Sequence, residues 1–263
     1  MGFCVIAAGE RMPGFAAMAA ALTAAFGLNH STAAVQARHC WGVFARDLEA
    51  AAADAVAGHC AACGIKTIKL PAEALARLPV AHRIKKIGFE QEHLAWMDAA
   101  GSAGTVRARE IAALSAAPVK EETMHLVKTK EGPSGAEKAV RFGIMSVTGL
   151  PIGLGKTKEV IKEVRGNELS FYLDIISGSD EPRLRLSPVD FDFSCLKERK
   201  TYSSEMNFRL LALELAAFVP AALNNAALWA MRENTPLNAL PYDTMEDFET
   251  ETRRLAALTG QTR

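Results

Sequence analysis

Gly153-Leu154-Gly155-Lys156-Thr157 is the segment whose residue types come nearest to a known chemistry. A phosphate-binding loop needs a glycine, four residues, then Gly-Lys-Ser/Thr, so that backbone amides wrap the phosphates and the lysine reaches them. Counting back from Gly155, the first glycine should stand where the chain has Leu150. Gly149 is one residue too far, and Pro151 sits inside the loop. The apolar run ending in Asp174 could mimic a magnesium-binding strand, but no parallel α/β pattern surrounds it. The segment therefore reads first as a turn between strands. A nucleotide- or phosphate-binding enzyme using Lys156 and Thr157 is the alternative. It requires a helix directly after Thr157, and Lys158 to Val164 fits helix or strand.

Cys60-Ala61-Ala62-Cys63, with His59, His39 and Cys40 elsewhere, offers thiol or metal chemistry. A structural zinc site takes four ligands, commonly two such pairs, and here there is one. A redox pair places its first cysteine at a helix N-terminus, where the dipole favours thiolate. This pair falls at the end of an alanine-rich helix, so a thiol or metal module at Cys60 and Cys63 is a further alternative to plain packing. Asp190 and Asp192 share one strand face and could bind a cation, but alternation with Val189, Phe191, Phe193 and Cys195 makes them a solvent face. Arg107 and Arg109 alternate as basic residues on an early strand. The six histidines are scattered, and no Gly-x-Ser-x-Gly elbow occurs. No catalytic residue, cofactor or metal is expected.

The chain of 263 residues balances 30 Lys and Arg against 30 Asp and Glu. Nucleic-acid binding needs clustered positive charge, so this balance argues against it. With 49% hydrophobic residues a core can form without metal or disulfide, and five unframed cysteines suit a reducing compartment. Glu10 and Arg11 follow the start at once, and Glu214, Pro220, Asn224 and Asn225 interrupt the longest apolar stretch. A cytoplasmic protein with no integral membrane segment is expected.

The elements that would position any site fall into two sets. Phe3 to Ala7 reads as a buried strand, and Pro13 to Phe26 as a helix stopped by Gly27. Asn29 or Ser31 caps a second helix to His39; Gly42 to Ala45 is a strand; Asp47 caps a third helix, Leu48 to Cys63; Ile65 to Leu70 is a third strand. This β-α-α-β-α-β order, with Gly27-Leu28, Ala33, the alanine-rich third helix and Gly64-Ile65, resembles the C-terminal domain of the ribosomal stalk protein L7/L12; the adaptor ClpS has a related fold. The resemblance covers residues 1–71 and implies a small α/β sandwich that docks partners through its helices. Ser31 and Ala34 stand at the positions that carry factor-binding lysines in that family, so the resemblance does not extend to its cationic face.

A linker, 72–83, follows, in which Pro71 and Pro79 bracket a short helical stretch, Ala72 to Leu78. From 84 to 263 strand-like alternation dominates. Leu169, Phe171, Leu173 and Ile175 share a face; Leu184 and Leu186 alternate with Arg183 and Arg185; Val189 to Cys195 gives the cleanest period of two. Helices follow: Phe208, Leu211, Leu215 and Phe218 sit at helical spacing, a second helix reaches Arg232, and Asp243 with Glu246 caps a last one to Leu258. Strands closed by a long amphipathic helix over 84–220 resemble a pleckstrin-homology-like domain. The expected class is thus α+β: an L7/L12- or ClpS-like module followed by a strand-rich, PH-like module with C-terminal helices. The expected role is a non-enzymatic intracellular protein-protein interaction or scaffold protein with a protein partner, working through an exposed apolar patch or an open sheet edge.

Overall fold

A computed structural model describes residues 2–76, 78–131, 158–178, 183–235 and 242–260. The protein is mixed α/β with open sheets. Its contacts form two units: residues up to Glu121 together with those from Leu169 onward, and residues 122–168. The second unit contains the distal residues of two 19-residue strands, β7 (Ala113–Glu131) and β8 (Lys158–Ile176).

In the first unit, β1 (Phe3–Ala7), α1 (Phe15–Phe26), α2 (His30–His39), β2 (Val43–Leu48), α3 (Ala50–Ala62) and β3 (Thr67–Pro71) follow one another. The three strands form a sheet in the order β2-β1-β3, with β1 antiparallel to both neighbours. Successive β1 side chains point to opposite faces. Val5 and Ala7 join Met18, Leu22, Ala33, Ala37, Val56 and Cys60 under the helices. Cys4 and Ile6 join Val43 and Leu70 on the other face. That explains why β1 is an unbroken apolar run: both sides are covered.

The caps follow from residue type. Asn29 accepts from the Thr32 amide at 2.9 Å and starts α2. Gly27, at φ 65, closes α1 with its amide on the Thr23 carbonyl. Asp47 does not cap α3. It sits inside β2 at φ 56, where the β1–β2 register shifts, and Glu49 precedes the helix instead.

The same compact unit runs across residues 72–83, which hold α4 (Glu73–Ala76) and lead directly into β4 (Ala81–Glu90). The second face of the small sheet shares an apolar cluster with Leu75, Ala113, Ile176, Leu255 and Leu258. The larger sheet has the order β10-β7-β8-β9-β4-β5-β6, adding β5 (His93–Asp98), β6 (Ala103–Arg107), β9 (Arg183–Leu186) and β10 (Leu223–Asn224). It is mixed, since β10 pairs parallel with β7 and β9 parallel with β4, and it is open, with β10 and β6 at its edges. Its core contains Ile84, Leu94, Leu173 and Leu184 packed with Phe208, Leu211 and Leu215 of α5 (Ser204–Phe218). α6 (Ala226–Arg232) and α7 (Met245–Thr259) complete the unit.

Two expectations are corrected here. Residues 189–195 are not a strand: Asp192 accepts from the Ser194 amide at 2.9 Å and starts a 3₁₀ segment, Phe193–Arg199. Phe191 and Phe193 are buried and meet edge to face, while Val189 is exposed, so the alternation corresponds to burial only from Phe191 onward, and on a non-strand backbone. The cap of α7 is Thr244, whose hydroxyl accepts from the Asp247 amide, while Asp243 binds Lys120.

Candidate docking groove and the polar joint that holds it

α1 reads FAAMAAALTAAF, with Thr23 its single polar side chain. A helix apolar on every side normally lies wholly inside a protein. This one buries only Met18, Ala19, Ala21 and Leu22, and its other side faces out beside α2. Between the two helices runs a groove of about 850 Å³. Ala16, Ala20 and Ala24 form one wall at four-residue spacing. His30, Ala34 and Arg38 form the other, and Phe15 and Val35 are also part of the lining. Phe15 is 44% exposed and Val35 58%, whereas scattered exposed hydrophobics rarely share a concavity.

α7 fixes both walls. Arg254, fully buried, donates from Nη1 to the Gly9 carbonyl at 2.6 Å and from Nη2 to the Glu10 carbonyl at 3.1 Å, holding the loop that leads into α1. Asp247 meets His39, the last residue of α2, at 3.1 Å. Between α2 and β2 the chain turns through Trp41 and Gly42, both at positive φ, with the Val43 amide on the Cys40 carbonyl at 2.7 Å. Trp41 holds that conformation by stacking on Tyr242, ring centroids 4.2 Å apart.

Arg254 is countered by Glu251 at 3.6 Å, and both are fully buried. Glu251 also accepts from the Tyr242 hydroxyl and from the Ala226 amide. Burial, and then the Glu251 charge, push the Tyr242 hydroxyl well above the usual phenol range, so it stays a donor. Asn225 donates to Tyr242 and exchanges hydrogen bonds with both backbone groups of Ala116. A second buried group lies on β8 and β9. Arg185 grips Asp174 with two bonds, 2.7 and 2.9 Å, while Arg183 reaches Asp174 at 3.6 Å and Glu249 at 2.9 Å. Both carboxylate oxygens of Asp174 are thereby occupied by arginine.

The residues singled out by type and spacing are not brought together. Lys156 and Thr157 lie outside the described residues. Cys60 is buried under the small sheet, and Cys63 ends α3, half-buried. Burial, then the neighbouring Cys63 and Cys40 charges, push the Cys60 thiol up to about 11, far from a reactive thiolate. Asp192 is used in its turn and faces Lys86 at 3.8 Å; Asp190 is exposed. Arg107 ends β6 and pairs with Glu110, and Arg109 follows in a 3₁₀ turn, so the two do not form a strand face. Ser31 hydrogen-bonds Asn29 at 2.7 Å, while Ala34 lines the groove. Among the described residues no three His, Cys, Asp or Glu side chains are grouped to hold a metal, and no helix is long and apolar enough to cross a membrane.

No protein-family model matches the chain, and no curated protein or solved structure matches it.

The buried charges were the residues missed. Their signal is an acid or arginine inside an otherwise apolar run, as in FYLDII and RLRL, and charges on all sides of the α7 sequence.

Proposed function

We propose that this is a non-enzymatic protein-protein interaction or scaffold protein, and that its partner docks in the groove between α1 and α2. The observation that carries the reading is α1 itself: an almost wholly apolar helix with one side left in solvent, opposite a second helix that adds Ala34 and Val35. Covering what remains exposed of Phe15 and Val35 contributes roughly 1 kcal/mol each at ~25 cal/mol per Å². Among the described residues, Cys60 is packed, Arg107 is paired and Asp192 caps a turn, and none of them converges on another, which favours binding over catalysis. The resemblance of residues 1–71 to a stalk- or ClpS-like module, which is an analogy of fold, implies the same docking role.

Ala20→Glu tests it. Ala20 is exposed, and glutamate is a good helix former, so the fold should persist with an unchanged melting temperature. The variant should lose the specific partner that wild type co-isolates. Undiminished recovery, or substrate turnover by the wild-type chain, contradicts the reading.

A further inference from the structure

The charges around the groove specify its occupant. α1 contributes no charged side chain, and α2 contributes only Arg38 and the histidines His30 and His39. His39 is turned toward Asp247. Arg38 makes no ion pair among the described residues; the acid whose field it reaches, Asp243, is already bound by Lys120. The rim is therefore neutral or positive, with no acid on either wall. A second copy docking through a two-fold axis would present the same positive rim to itself, placing like charges together. The walls also have helical spacing. Alanines at every fourth residue of α1 face Ala34 across the groove, and side chains this small let a third helix approach closely and seat a ridge between the two.

We infer that the groove takes one amphipathic helix of a partner protein, with an apolar stripe that enters between α1 and α2 and acidic residues beside it that meet Arg38. This rests on the docking reading above and specifies the partner's chemistry.

A display library of amphipathic helices of about five turns tests it. Each helix carries a fixed leucine stripe, and its flanking positions are randomised among Glu, Lys and Gln. Selection on the full chain should enrich glutamate-flanked helices roughly ten-fold over lysine-flanked ones, less at high salt. Arg38→Glu should reverse that order, and Ala20→Glu should abolish enrichment. Enrichment that needs the groove but ignores flanking charge, or favours lysine, overturns the acidic-helix inference and leaves the docking reading standing. No enrichment beyond that of Ala20→Glu overturns both. A wild-type dimer in sedimentation that Ala20→Glu dissolves makes a second copy the occupant and overturns the inference.

Discussion

Gly42 lies directly against Arg254: a β-carbon on Gly42 would stand 2.8 Å from the Arg254 Cδ. The α2–β2 turn and α7 are thus fitted to each other at a point where only glycine leaves room. The guanidinium beyond it holds the carbonyls before α1.

Gly42→Ala should therefore destabilise by roughly 2–4 kcal/mol, combining overpacking with a side chain forced into positive φ. Gly58→Ala is the matched control. It sits in α3 with nothing within 4 Å of the added carbon, and should gain about 0.5–1 kcal/mol. Urea midpoints of the two variants should move in opposite directions; a neutral Gly42→Ala contradicts the fit.

Glu251→Gln removes the counter-charge of a buried arginine and a strong acceptor for Tyr242. Leaving such a charge uncompensated costs about 3–5 kcal/mol. Adding Arg254→Met should restore part of the loss, since the two groups act as one unit. Strict additivity in a double-mutant cycle would show that they do not.

Acid should weaken the fold from a definite side. Burial alone would raise the Glu249 carboxyl, but the Arg183 hydrogen bond and the Arg183, Arg185 and Arg253 charges bring it below the usual range. Hydrogen bonding to Lys120 lowers Asp243 in the same way. A carboxyl lowered on folding contributes stability that is complete above its unfolded value, about 4–4.5, and is lost as pH falls through the folded value. Urea midpoints should be level from about pH 7 to 5 and fall steeply below about 4.5, and Glu249→Gln should flatten that fall. Equal stability at pH 3 and pH 6 would contradict the pairing.

Lys197 adopts φ 51, ψ −125 inside the 3₁₀ segment, a conformation a lysine adopts only under strain. Lys197→Gly should relieve it and raise stability by about 1 kcal/mol, read as a higher thermal midpoint. A lower midpoint would mean that the lysine side chain secures this turn.

Much of the small sheet and its helices was legible because each boundary rests on local chemistry. Gly27 in the left-handed region and Asn29 accepting from Thr32 are signals that neighbours cannot override. The segment 189–195 reads as a strand because its apolar residues alternate with a period of two, but Asp192 diverts the backbone into a 3₁₀ turn and Val189 is left exposed. The apolar face of α1 was legible as composition, but its exposure was not, since a helix apolar all round is expected to be buried. The joint of Tyr242, Glu251 and Arg254 was invisible because its partners lie as much as 247 residues apart, Arg254 on the Ala7 and Gly9 carbonyls, and a charge in a helix reads by default as a solvated face.

The most direct measurement is site-specific photo-crosslinking in intact cells, with a benzophenone side chain at Val35 in the groove and, as control, at exposed Ala52 on α3. A discrete crosslinked partner at Val35, absent at Ala52 and absent at Val35 when Ala20→Glu is present, is the predicted result. Identical adducts from both positions, or none from Val35, would contradict docking between α1 and α2.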